Sequence, residues 1–136
     1  MRLWHYKLLP VLPNKFIIAE WRECIAIKRQ WEKGTLKHRL VSYVMDYDKS
    51  YFCNYITLVA NEMNKRKIRF KEKYLDELFN FSANLNTLIP AMYPEHNDRY
   101  LKQCIYNLEE KYDRGIISQE EFYNIIGVGY KENIIE

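Results

Sequence analysis

Lys15-Phe16-Ile17-Ile18-Ala19-Glu20-Trp21-Arg22-Glu23-Cys24-Ile25-Ala26-Ile27-Lys28 opens a stretch that runs on to Lys33 and decides the fold. Ile17, Ile18, Trp21, Ile25 and Lys28 recur at spacings of three and four, the period of one helix face. Asn14 is placed to cap this helix and Gly34 to end it. Glu20, Glu23 and Ile27 fall on a different stripe. Two readings of the carboxylates stay open. They pair with nearby Lys or Arg on a solvated face, or Glu23 sits at the edge of the core. At that edge burial raises a carboxyl pKa and a neighbouring cation lowers it. Such a site suits proton transfer or stabilisation of a developing cation.

The same periodicity continues on both sides. Residues 1–13 are apolar, contain Pro10 and Pro13, and show no helix period, which predicts an extended N-terminal arm packed near the first long helix. A second helix is expected over 35–47, with Leu36, Leu40, Tyr43, Val44 and Tyr47 inward. A third covers 51–65, with Phe52, Tyr55, Ile56, Val59 and Met63 inward. The run 65–73 is strongly basic and irregular, 74–81 forms a short helix, and 82–94 is a loop. Asn97 or Asp98 caps a helix that reaches about Arg114, with Leu101, Cys104, Ile105, Leu108 and Tyr112 inward. Beyond Gly115, Ser118 and Glu121 have the spacing of a capping box that opens a last short helix. The fold class is all-α, one compact domain. Its main body is 1–114 and a helical hairpin, 115–136, extends it. That hairpin either finishes the core or forms a homodimer, since it is similar to short oligomerisation hairpins.

Composition removes several functions. The chain has 136 residues, 48% hydrophobic and 15% aromatic, enough to bury a core. No apolar run reaches the roughly 18 residues of a membrane span, so no membrane partner is expected. The opening Met1-Arg2-Leu3-Trp4-His5 lacks the long apolar segment of a secretion signal, which predicts a cytoplasmic protein. Cys24, Cys53 and Cys104 are an odd number without CxxC spacing and read as reduced thiols, neither disulfides nor a zinc site. His5, His38 and His96 are too scattered for a metal site. No phosphate-binding glycine motif is present.

Charge is the positive clue. Residues 1–75 carry 16 basic and 7 acidic side chains, a balance of +9, whereas 76–136 carry 5 and 11, a balance of −6. This split predicts a basic surface for a polyanion, with the acidic part facing away. Lys37, His38 and Arg39 form one candidate phosphate contact. Lys65, Arg66, Lys67 and Arg69 form another, interleaved with apolar residues, and a solvated loop is its alternative.

Met1-Arg2-Leu3-Trp4-His5, followed by Ala19-Glu20-Trp21-Arg22-Glu23-Cys24, resembles the pyrimidine-dimer DNA glycosylase family, whose type is a phage endonuclease V. The chain is most similar to a bacterial branch that also carries Lys-His, Glu-Met-x-x-Arg and a Tyr-Pro-Glu-His-Asn segment, here Lys37-His38, Glu62–Arg66 and Tyr93–Asn97. The resemblance covers about 1–108. It implies a DNA repair glycosylase with abasic-site lyase activity on double-stranded damaged DNA, without metal or cofactor. The nucleophile in that family is the α-amine of the mature N-terminus. Its reference pKa of roughly 7.7–8.0 leaves far more of it neutral than a lysine at roughly 10.4. It attacks C1′ of the sugar, and the resulting imine permits β-elimination. Such enzymes also extrude a nucleotide opposite the lesion. By position, Met1 would be the nucleophile, because the bulk of Arg2 blocks removal of the initiator, and Glu23 the catalytic carboxylate. Arg2, His5 and Arg22 would join the two basic runs in binding DNA. Trp21, and Lys15-Phe16 one turn earlier, depart from the family pattern and leave the lesion open. A non-catalytic nucleic-acid-binding module and a protein-interaction domain are the alternatives.

Overall fold

The structure, a computed structural model, describes residues 1–83 and 92–135. The middle of the loop expected over 82–94 lies outside these residues. Among the described residues five α-helices carry the fold: α1 (Asn14–Lys33), α2 (Lys49–Lys65), α3 (Glu72–Ser82), α4 (Asp98–Asp113) and α5 (Gln119–Lys131). Two 3-10 helices, Tyr6–Val11 and Ser42–Asp46, lie between them, and the described residues contain no strand. The all-α expectation holds, and the buried apolar side chains form one core.

Helix α1 follows its pattern. Ile17, Trp21, Ile25 and Lys28 are buried, and Gly34 ends it at φ 73°, a conformation that costs glycine little. Lys28 is accommodated because its ammonium meets Glu32 at 2.9 Å and Glu77 at 3.4 Å. The helix starts one residue early, however. Pro13 occupies the cap position, and the Asn14 side chain accepts a hydrogen bond from Arg66 Nη1 at 3.1 Å instead of capping. On α2 all five expected inward residues are buried, and α1 packs against both α2 and α3. The Ser118–Glu121 capping box is complete, with both reciprocal hydrogen bonds made.

Two elements differ from expectation. The arm is extended only through residue 5, because Tyr6–Val11 winds into a 3-10 helix. His5 caps that turn, its Nδ1 accepting the Lys7 amide at 3.1 Å, and the turn buries Leu8 and Leu9. The helix expected over 35–47 is also absent. His38 Nδ1 accepts the Leu40 amide at 3.3 Å, and the His38 carbonyl accepts from Val41 and Ser42. Local side-chain bonding of this kind competes with a helix. Leu40, 43% exposed, has no core to face, and only the short Ser42–Asp46 turn forms.

The C-terminal hairpin is joined to the start of the chain. α5 packs on α4 and on the Tyr6–Val11 turn, and Tyr112 stacks on Phe122 at 4.7 Å. Lys7 pairs with Glu132 at 2.9 Å, and Lys15 Nζ donates to the Ile116 carbonyl at 2.8 Å. The apolar face of α5, Phe122 and Ile125, is thus spent inside the chain. Among the described residues no helix is long and apolar enough to cross a membrane.

Candidate active site

The first residues are held against α1 by their backbone. Glu23 Oε2 accepts the Arg2 amide at 2.9 Å. Two residues on, the Trp4 backbone lies beside the Glu20 carboxyl, whose Oε1 accepts from the Tyr55 hydroxyl at 3.3 Å. Opposite carbonyls are satisfied too: Tyr55 donates to Trp4 O at 2.6 Å, and the Tyr100 hydroxyl donates to Leu3 O.

Glu23 and Glu20 have different surroundings. Glu23 is half-buried and borders a cleft of about 300 Å³ lined by Met1, Arg2, Trp4 and Glu23, and across from them by Asn107, Glu110, Lys111 and Arg114 of α4. The Met1 nitrogen is three covalent bonds from the Arg2 amide that Glu23 holds. Glu20 is 1% exposed, so the solvated-face reading fails for it. Burial pushes its carboxyl well above the usual carboxylate range, and the Glu23 charge adds to this. The bonds from Tyr55 and Trp4 and the N-terminal charge oppose it without prevailing.

A neutral buried Glu20 has a pH consequence. As pH rises above the ordinary carboxyl value, the unfolded chain loses this proton and the folded chain keeps it. Stability then falls by about 1.4 kcal/mol per pH unit until the folded-state value is reached. Glu20→Gln keeps the shape and the neutral hydrogen bonds. It is expected to raise the melting temperature at pH 8 and to flatten the alkaline decline, as read by thermal unfolding from pH 5 to 9.

His5 and His96 occupy the other side of the arm. The rings lie 5.4 Å apart, among Tyr6, Tyr43, Tyr93 and Tyr100. His96 Nδ1 accepts the Tyr6 amide at 3.2 Å, which leaves Nε2 to donate to the Tyr43 oxygen at 2.8 Å. Burial holds His5 down at about 4 and His96 at about 3. Below the ordinary value of 6.5 the unfolded chain takes up protons that the folded chain refuses. Each ring then removes about 1.4 kcal/mol of stability per pH unit as pH falls from 6.5 toward its folded value. Unfolding at pH 5 is expected to absorb close to two protons for this pair, measured by calorimetry in buffers of differing ionisation enthalpy.

The candidate DNA-binding residues divide. His5 is corrected: at 1% exposure it caps a turn inside the core and touches no solvent-borne ligand. Arg66 is also corrected. Its guanidinium donates to Glu62, Asn14 and the carbonyls of Leu9, Pro10 and Leu12, so it is a structural clamp. Arg2 turns its guanidinium over Trp4 at 5.4 Å and beside the Cys104 thiol, with Nη1 buried. Arg22, Lys37, His38, Arg39, Lys65, Lys67 and Arg69 are all exposed. Arg22 and Arg69 meet at a groove of about 710 Å³, with Trp21, Phe70 and Tyr74 in its walls. Trp21 and Phe70 are 4.7 Å apart there.

The prediction that the acidic half faces away is overturned at one place. The α4 residues Asn107, Glu110, Lys111 and Arg114, spaced as one helix face, form the far wall of the Glu23 cleft. Their spacing was readable, but it is a polar stripe beside an apolar one and looks like an ordinary solvated face. No group of histidine, cysteine and carboxylate side chains suited to a metal is found among the described residues.

The sequence model described as pyrimidine dimer DNA glycosylase matches residues 1–76, more than half of the chain. The chain belongs to that family. No curated protein sequence and no solved structure matches it. In this glycosylase-family chain the matched segment holds α1, α2 and the arm, hence Met1, Arg22 and Glu23, whereas the α4 wall lies beyond it. Damaged DNA is the substrate class that the family implies.

Proposed function

We propose that this chain is a DNA glycosylase with abasic-site lyase activity, acting at pyrimidine dimers in duplex DNA through the Met1 α-amine of the mature protein. The observation that carries this reading is the 2.9 Å bond from the Arg2 amide to Glu23, within an open cleft. It ties the first peptide to a carboxylate able to take a proton from the attacking amine and to face a cationic sugar. The neutral amine bonds to C1′ and the base departs with the electrons of its glycosidic bond. The amine gives a proton to Glu23, its lone pair forms a C=N bond, and C1′–O4′ breaks. O4′ then recovers that proton from Glu23. The imine acidifies the 2′ protons, and β-elimination breaks the strand.

Lys111 and Arg114 of the Glu23 cleft, and Arg22 from the larger groove, would meet phosphates flanking the sugar. The larger groove, aromatic at Trp21, Phe70 and Tyr74 and cationic at Arg22 and Arg69, suits a base turned out of the duplex.

The test mixes tag-free protein with an abasic duplex and borohydride. A trapped covalent complex is expected, lost on N-terminal acetylation. A missing adduct, or one indifferent to acetylation, rejects the mechanism. Scission of a duplex carrying a cyclobutane dimer, against an undamaged one, tests the lesion.

A further inference from the structure

The larger groove along α1 holds a cation that the mechanism does not use. Every charged side chain among the described residues that line it is a cation: Arg22, Arg29, Arg69 and Lys71. Arg29 differs from the others in how it is held. Its Nε and Nη2 donate to the two carboxylate oxygens of Glu77 on α3, at 3.0 and 3.1 Å. Its guanidinium also lies over the Tyr74 ring, 5.8 Å from the centroid. This grip occupies one edge of a planar fork that carries five N–H donors. The side chain is 50% exposed, which leaves the second edge, Nη1 with the remaining Nη2 hydrogen, accessible from solvent.

We propose that Arg29 binds a backbone phosphate of the DNA strand that enters this groove. The inference rests on the reading of the groove as a DNA surface and does not need the amine chemistry. A guanidinium edge meets two phosphate oxygens at once through charge-assisted hydrogen bonds, which a lysine cannot do. An arginine already fixed by a carboxylate and a ring loses little freedom when the phosphate arrives. Arg22 stands seven residues earlier on the same side of α1, about 10.5 Å away along the axis. The two can therefore hold separate points of one strand. A strut between α1 and α3 is the other role open to an Arg29–Glu77 pair, and the two roles respond differently to salt.

The experiment measures binding to an uncleavable duplex, one that carries the tetrahydrofuran abasic analogue, across a salt series. Arg29→Ala is expected to weaken binding about tenfold at low salt. The slope of log affinity against log salt is expected to become shallower by about 0.9, the value of one phosphate contact. Arg29→Gln, which can still donate to Glu77 but has no charge, is expected to change the slope equally and serves if the alanine variant does not fold. Glu77→Gln breaks the ion pair, and adding Arg29→Ala to it is expected still to lower the slope by about 0.9. An effect that vanishes in that background makes Arg29 a strut and overturns the inference. So does an equal change for Lys33→Ala, a cation of α1 outside the groove, because the effect is then one of net charge. An unchanged slope for the Arg29 variants, beside a lowered one for Arg69→Ala, overturns the Arg29 contact alone. Unchanged slopes for both reject the groove as a DNA surface, and the inference with it. Borohydride trapping on a natural abasic duplex reports on the amine separately, so the two failures are told apart.

Discussion

Glu23→Gln is expected to lower single-turnover scission of an abasic duplex by about 10²–10⁴-fold while leaving the protein folded. The amide oxygen of glutamine still accepts the Arg2 N–H, so the arm stays on α1. On the proposed mechanism, what disappears is the group that takes and returns a proton, together with its negative charge toward the cationic sugar. The expected signature is therefore kinetic. The melting temperature and the affinity for a tetrahydrofuran duplex change little, and the rate of imine trapping falls. A variant that cleaves at the wild-type rate places the proton transfer elsewhere. One that loses DNA binding and rate together makes Glu23 a binding residue.

Arg66→Ala is expected to carry the largest stability cost, about 3–5 kcal/mol, for a reason visible only in the folded chain. The side chain is 17% exposed and pairs with Glu62, itself 12% exposed, at 2.9 Å. It also donates to the carbonyls of Leu9, at 3.1 Å, and Pro10, at 3.0 Å, and to that of Leu12. Its removal strands a shielded carboxylate and the carbonyls that end the Tyr6–Val11 turn. The melting temperature is expected to fall by about 10–15 °C. Arg66→Lys restores the charge but not the planar fork and recovers part of the loss. Lys65→Ala, a neighbour exposed to solvent, is expected to leave the melting temperature within about 2 °C. A small loss for Arg66→Ala in urea or thermal unfolding shows that the arm does not need this clamp.

Arg66 illustrates what sequence carries and what it does not. In the chain it is one cation among several in a basic run, and nothing distinguishes it from Lys65 or Lys67. Its role comes from contacts more than 50 residues away. His5 and Glu20 were obscure for the same reason. Each is polar in one dimension, yet each is buried by aromatic residues from α2 and α4, Tyr55 and Tyr100 among them. Helices α1, α2, α4 and α5 were legible because apolar spacing and caps are local properties. The 35–47 segment misled because an apolar period is also compatible with a turn once His38 bonds its own backbone. In the site, the arm and the Ala19–Glu23 motif could be read directly. The α4 wall could not, since its polar stripe acquires meaning only from what stands opposite.

That wall divides the labour of the protein between separable lengths of chain. The parts assigned to bond making, Met1 and Glu23, are encoded in the family-matched segment, and the surface that confronts them is encoded some 30 residues beyond its end. Exchange of Glu110, Lys111 and Arg114 is therefore expected, on the proposed mechanism, to change which damaged nucleotide is accepted while Met1 and Glu23 stay in place. A bank of variants confined to these positions, scored against a panel of lesions, makes the chain a chassis for retargeted repair enzymes.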